Sequence, residues 1–284
     1  MIRVVTDSTC DLPPAWLAQH RIAVVPINIQ FGQESFQENL TLGQDDFYRK
    51  VAALNMIPTT SQPSLGQFET VYRALAGEAD TDGILSLHIT GHLSGTYSAA
   101  TVAAGQMPET PPIAVFDSLS GSMGLGFMAL EAAQMAARGA TMAEIIARLE
   151  VVQQRMRIFL SLDNLRFARM SGRVGMARAL ISSLLNVKPM LTVNAGKLEL
   201  AGRARSHSQA LAGLVAALEQ ALAETKGAAP RLAVIHAQAP EAAQRLVELC
   251  TQRLGARPEV VNTLSIGIAV HFGPGTVGVV GYVP

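Results

Sequence analysis

Two runs in the first half of the chain, GILSLHI (83–89) and PIAVFDS (112–118), are continuously apolar rather than alternating. A strand apolar on both faces is buried on both faces, as happens in parallel sheets whose crossover helices cover each side. Helical patterns follow the two runs at about 95–106 and 122–138. The same alternation begins at the first residues. IRVVT (2–6) reads as a strand, and CDLPPAWLAQH offers Asp11 as a cap with Pro13 or Pro14 in the first helical turn. IAVVPINI reads as a second strand. DDFYRKVAALN carries Phe47, Val51 and Leu54 at helical spacing. Ser64, followed three residues later by Gln67, forms a capping-box pattern ahead of Phe68, Val71, Tyr72 and Leu75. Strands alternating with helices predict an α/β class, with an N-terminal parallel-sheet domain over 1–156.

From 141 the pattern changes. A helix over 141–155 leads into RIFLSLDNL, then a polar turn with a helix behind it in RFARMSGRVGMARALISSLLN. VKPMLTVNAGKLELAGRARS reads as strand, Asn-Ala-Gly turn, strand, and SQALAGLVAALEQALAET as a helix. RLAVIHA, APEAAQRLVELCTQRLG and EVVNTLSIG give strand, helix, strand. The closing IAVHFGPGTVGVVGYV reads as strands around a Gly-Pro-Gly turn. This half predicts a C-terminal α+β domain over 157–284.

Hydrophobic residues make up 49% of the 284 residues, enough for a substantial core. Lys plus Arg (22) balance Asp plus Glu (22), so no global field argues for nucleic acid. The two cysteines, Cys10 and Cys250, lie far apart and suit a reducing compartment. The chain opens directly into IRVVTDS, a strand rather than a signal peptide. No stretch stays apolar for the ~18 residues of a spanning helix. The expectation is a soluble cytoplasmic protein without stable membrane insertion.

Most catalytic motifs fail. A nucleophile elbow needs G-x-S-x-G, but in Gly91-His92-Leu93-Ser94-Gly95 the serine stands one place late. There is no P-loop. GLGFMA (124–129) fits a loose dinucleotide pattern, but LSGSM separates it from its strand and no ribose-binding acid follows. GPGTVG (273–278) fits as well, but it leads into β-like sequence. His88 and His92 are four apart across a strand-to-turn break, so no metal site is expected.

What survives is a set of turns rich in hydroxyls, arginine and histidine: DSTCDLP, TTSQPS, HLSGTY, SGRVG, GRARSHS and VHFGPG. In α/β sheets ligands lie beyond the carboxyl ends of strands, where free N–H groups at helix starts favour an anion. Each turn also has a plainer reading. Ser64 and Asp11 serve as caps. Thr60 and Ser61 precede the capping box, which leaves them open to ligand contact. Ser94 either caps the helix behind it or meets a ligand. Arg173 is a solvated surface residue or a ligand contact, and His271 a core or interface residue on a strand.

Taken in order over nearly the whole chain, VTDSTCDLP, TTSQPS, LSGTYSAA, FDSLSGSMGLG, LDNLRFARMSGRVG, KPMLTVNAGKL, RARSHSQAL and VHFGPGTVGVV resemble the DegV family of bacterial fatty-acid-binding proteins. The resemblance implies two α/β domains with a fatty acid, such as palmitate or oleate, between them. It implies a non-catalytic subunit that presents the acyl carboxylate to a separate ATP-binding fatty acid kinase subunit for conversion to acyl phosphate; apart from the resemblance, a monomer is expected. Matched position by position, it assigns fatty-acid binding to Thr60, Ser61, Ser94 with the neighbouring Gly95, and His271. Support of phosphoryl transfer falls to Arg173 and Arg205. The family's Gly-Gly-Arg turn is Ser171-Gly172-Arg173 here. No cofactor or metal is implied. Two other classes fit some of these residues: a Ser/His acyl hydrolase using Ser94 and His271, and a sensor of a small carboxylate or phosphate.

Overall fold

Every residue of Gly83–His88 is buried, as the continuous apolar run requires. The computed structural model that places it describes residues 1–107, 111–163, 165–173, 187–225 and 227–284. Two units emerge: Met1–Gln153 with Ser265–Gly267, and Gln154–Leu264 with Ile268–Pro284.

In the first unit β1 (Ile2–Asp7), β2 (Ala23–Val25), β6 (Gly83–His88) and β7 (Ile113–Asp117) form a parallel sheet in the order β2-β1-β6-β7. A second, antiparallel sheet has the order β4-β3-β5, from β3 (Asn28–Phe31), β4 (Glu34–Gln37) and β5 (Thr59–Ser61). The run IAVVPINI is therefore two strands in two sheets. Pro26 stands at the break, where the absent N–H cannot continue a ladder. The run at 112–118 is also not buried throughout. β7 is an edge strand, half-buried at every position, because it has a neighbour on one side only.

Phe68 and Tyr72 of α3 (Leu65–Ala76) and Ala100 and Ala103 of α4 (Thr96–Gly105) pack on Val5, Val25 and Ile84 of the parallel sheet. The remaining helices of this region are α1 (Pro14–Gln19), α2 (Gln44–Leu54), α5 (Ser122–Ala137) and α6 (Met142–Arg155). α5 is buried over most of its length, and its Gly126 has a packing reason. A Cβ at Gly126 would lie 2.4 Å from the Cys10 carbonyl oxygen. The GLGFMA pattern thus marks close backbone approach rather than a pyrophosphate site. Gly126→Ala is expected to cost about 1–3 kcal/mol or more, since backbone must shift to admit the methyl; urea denaturation followed by circular dichroism measures it.

The second unit holds a mixed sheet in the order β10-β9-β8-β13-β11-β12. Its strands are β8 (Arg157–Ser161), β9 (Lys188–Asn194), β10 (Lys197–Ala204), β11 (Arg231–His236), β12 (Val260–Thr263) and β13 (Val277–Tyr282). Ala195 and Gly196, both at positive φ, make the expected two-residue turn between β9 and β10. After α7 (Arg166–Ser171), the helix expected behind SGRVG lies among 174–186, outside the described residues. Leu211, Leu214 and Leu218 of α8 (His207–Ala223) pack with Leu246, Val247 and Cys250 of α9 (Pro240–Leu254) over Leu232, Val234 and Val279.

Two expectations fail for one reason. IAVHF is not a strand but most of a helix, α10 (Ile266–Phe272), with His271 in its last turn. Asp11 does not cap α1, whose cap position is Pro13 with no side-chain bond. Instead the buried Asp11 accepts from Ser265 N at 2.8 Å and from the Ser122 hydroxyl. Buried Glu38 accepts from Ile266 N, from Gly267 N at 3.3 Å and from the Ser8 hydroxyl at 2.6 Å. Two carboxylates from distant sequence thus satisfy the first N–H groups of α10, where the helix dipole also favours negative charge.

Burial pushes the Asp11 carboxyl up to about 7 and the Glu38 carboxyl up to about 8, against the hydrogen bonds each accepts. Acids raised in this way bind protons in the folded state before the unfolded chain does. Stability therefore rises as pH falls through that range. The melting temperature at pH 6.5 should exceed that at pH 8.5, and Glu38→Gln should shrink the difference in scanning calorimetry, leaving the part that Asp11 contributes. A wild-type profile flat over this window would contradict the assignment.

Candidate functional site

Thr60 and Ser61 lie on β5, paired with Ile29 and Asn28 of β3, and both are half-buried. The turn behind them is tightly specified. Asn28 Nδ2 donates to Gln62 O and to Gln67 Oε1, each at 3.1 Å, and Gln67 Nε2 donates to Pro26 O at 3.3 Å. Ser64 and Gln67 form the expected capping box at the start of α3. Asn28 escaped the sequence reading, because only its pairing opposite Ser61 gives it a role.

The HLSGTY turn follows β6. Thr90 N donates to Ser120 O at 2.8 Å, and Gly91 N to the Asp117 carboxylate at 3.1 Å. Leu93 N and Ser94 N both donate to Thr90 O. Ser94 Oγ accepts from Thr96 N at 3.3 Å and hydrogen-bonds Thr96 Oγ1 at 2.8 Å, where either hydroxyl can donate. It therefore does help to start α4, yet it stays half-buried and keeps hydrogen-bonding capacity beyond Thr96. Among the described residues no acceptor meets the N–H groups of Gly95, Tyr97 and Ser98 in the first turn of α4. Within the first unit, no base is among the partners of Ser94 Oγ.

The two hydroxyl-bearing turns touch. A Cβ at Gly95 would stand 3.0–3.3 Å from the Gln62 side-chain amide. Gln62, the residue after Thr60 and Ser61, thus lies against the helix start that carries Ser94 and the free N–H groups, within the first unit. Neutral donors at a helix N-terminus suit a carboxylate or phosphate oxygen.

Beneath the second turn runs a buried polar chain that the sequence reading missed. Asp7 accepts from Thr9 N (3.0 Å), the Thr9 hydroxyl, His88 Nδ1 (3.1 Å) and Ile89 N (3.0 Å). His88 Nε2 lies 2.7 Å from Ser86 Oγ, which accepts from the Tyr72 hydroxyl at 2.8 Å. Burial alone would raise the Asp7 carboxyl. The hydrogen bond from His88, with the Thr9 and Ile89 bonds, outweighs it and holds the group below the usual carboxylate range. Asp7, His88 and Ser86 have the order of a hydrolase relay, but all three are 0% exposed, so no substrate reaches the serine. The signal was present in GILSLHI: Ser86 and His88, two apart, point to the same face of an otherwise apolar strand.

Arg173, Arg205 and His271 belong to the second unit. Arg173 is exposed, follows Gly172 at φ +70 and donates to Ser171 O at 3.0 Å. Arg205 is exposed, and its backbone N donates to Gln209 Oε1 at 3.0 Å while Ser206 caps α8. Burial, with the positive charge of Arg173, brings the His271 imidazole down to about 4, so it is neutral at pH 7. Thr60, Ser61, Ser94 and Gly95 thus lie in one unit, and Arg173, Arg205 and His271 in the other, where Arg173 acts electrostatically on His271.

A family model for DegV proteins matches residues 1–283. The chain belongs to the DegV family. A DegV domain-containing protein of Deinococcus radiodurans is 35% identical over 281 residues, covering 98% of this chain and 97% of that one. The solved structure of a DegV family protein of Thermus thermophilus, described by its fatty acid binding, superposes with a TM-score of 0.91 at 33% identity, covering 100% of this chain and 99% of that one. DegV of Bacillus subtilis, described as a fatty acid binding protein, gives 0.88 at 30% identity with the same coverage. Among the described residues no helix is long and apolar enough to cross a membrane, and no three His, Cys, Asp or Glu side chains are grouped to hold a metal.

Proposed function

We propose that this DegV protein binds a long-chain fatty acid such as palmitate or oleate, buries the tail and presents the carboxylate to a separate ATP-dependent kinase subunit. The observation that carries the reading is the meeting of the two hydroxyl turns at Gln62 and Gly95, beside the free N–H groups of α4. The carboxylate takes hydrogen bonds from Thr60, Ser61 and Ser94. Affinity comes mainly from the tail. Each buried methylene contributes roughly 0.8 kcal/mol, so about sixteen carbons contribute on the order of 10 kcal/mol before ordering costs. The Thermus and Bacillus relatives, both described as binding fatty acids, support the ligand class.

Neutral hydroxyls orient the carboxylate without quenching its charge, so an oxygen stays nucleophilic toward the γ-phosphorus of ATP held by the partner. Acyl phosphate forms and ADP leaves. This chain supplies no catalysis of its own and acts as a cytoplasmic monomer. His271 contacts the head group, while Arg173 and Arg205 steady phosphate charge. These three roles rest on the position-by-position match to the family.

Native mass spectrometry of the purified protein, with extraction of bound lipid, tests the core reading. Protein that arrives empty and gains no thermal stability from palmitate or oleate refutes it. Labelling of Ser94 by a fluorophosphonate probe would indicate a hydrolase instead. Displacement of fatty acid by short carboxylates or phosphate at comparable concentration would indicate a small-anion sensor. Arg173→Ala should leave fatty acid affinity within about threefold of wild type, a difference below 1 kcal/mol. The same change should reduce acyl phosphate formation in the reconstituted pair, read by release of ADP.

A further inference from the structure

The polar chain Asp7–His88–Ser86–Tyr72 runs between the elements that carry the two hydroxyl turns. Its one end is on α3, directly behind the Thr60–Ser64 turn. Tyr72 of that helix donates to Ser86, and Phe68, one turn earlier, sets its ring edge-on to His88 with centroids 5.2 Å apart. The other end is Asp7, whose carboxylate holds the N–H of Ile89, the residue on which β6 leaves the sheet for the turn 90–95. His88 stands in the middle and touches both. In the Nδ1–H tautomer every proton has an acceptor: Tyr72 O–H to Ser86, Ser86 O–H to His88 Nε2, and His88 Nδ1–H to Asp7.

We propose that His88 is a positioning residue for the carboxylate-binding region: by clamping Asp7 it fixes the exit of β6, and through Ser86 and Phe68 it fixes α3, so that the Ser94 and Thr60 turns meet at Gln62 and Gly95. The proposal rests on the fatty acid reading above. Physically, a carboxylate held by few neutral donors binds well only when those donors stand in place beforehand, since each must otherwise be ordered on binding. A buried, fully bonded chain supplies that order more firmly than apolar packing, because a shifted member leaves an unmet donor in the interior.

Two substitutions of similar size separate this role from simple core filling. In His88→Asn the side-chain amide can stand where Nδ1 stands and donate to Asp7, losing Ser86. In His88→Gln the amide reaches toward Ser86 and loses Asp7. Both remove volume and keep polarity. His88→Asn should bind palmitate within about threefold of wild type, and His88→Gln about tenfold or more weakly, as loss of one charged hydrogen bond predicts. The amide ¹H resonances of Ile89 and Gly91 give a readout independent of lipid. They should stay near wild type in the Asn variant and move upfield in the Gln variant, and ¹⁵N spectra of wild type should show His88 protonated on Nδ1.

Equal palmitate affinity in the Asn and Gln variants, or an unmoved Ile89 amide in His88→Gln, would overturn the proposal. Wild-type protein that binds no palmitate would refute the fatty acid reading instead. The Ile89 and Gly91 resonances would then still decide whether His88 sets the turn.

Discussion

Asp7→Ala is expected to destabilise the protein by about 3–5 kcal/mol, because it leaves several buried donors unmet at roughly 1–3 kcal/mol each. Asp7 is wholly buried and accepts four hydrogen bonds, from Thr9 twice, His88 and Ile89. Alanine strands all four donors at once. Asp7→Asn retains one acceptor oxygen and should fall between alanine and wild type. Urea titration gives the loss, and hydrogen exchange at Ile89 shows where it acts. If Asp7→Ala unfolds within 1 kcal/mol of wild type, the carboxylate is not the anchor described above.

Thr60→Ala combined with Ser94→Ala should lower palmitate affinity by about 100-fold or more, because each hydroxyl bond to a carboxylate is worth about 1.5–3 kcal/mol. Both residues are half-buried. Ser94 spends part of its capacity on Thr96, so its loss also loosens the start of α4. The single variants therefore need the melting temperature of lipid-free protein beside the isothermal titration. A double variant that still binds palmitate as wild type does would move the head group away from these turns. Because the tail supplies most of the binding, an added methylene should still raise affinity in the double variant, by roughly 0.8 kcal/mol.

Features that depend on neighbours within a few residues were legible beforehand. The capping box of Ser64 and Gln67, the Ala195-Gly196 turn, the helices over 96–105 and 122–137 and the wholly buried strand at 83–88 all follow from spacing and turn chemistry. Thr60, Ser61, Ser94 and Gly95 stood out in the sequence as candidates for anion binding, since hydroxyls and glycine between a strand and a helix leave N–H groups open; their binding of a carboxylate is the proposal made above. Asn28 and Asp7 did not stand out, because their roles come from partners distant in sequence.

Asp11 makes the contrast clearest. Its sequence context is that of a helix cap. In the fold its bond to Ser265 N spans 254 positions, and Glu38 reaches Ile266 N across 228. A helix start needs acceptors for its first N–H groups, and nothing in the sequence around IAVHF announces that they come from the other end of the chain. The sequence by itself determined most of the alternation of strands and helices, the Ser64–Gln67 capping box, the Ala195-Gly196 turn, and the family. The tertiary structure alone decided that IAVVPINI breaks at Pro26, that α10 is a helix, and that His88 is clamped beneath the Ser94 turn. Local patterns are set by short-range sterics and periodic burial, whereas buried polar groups find partners only when distant segments are brought together.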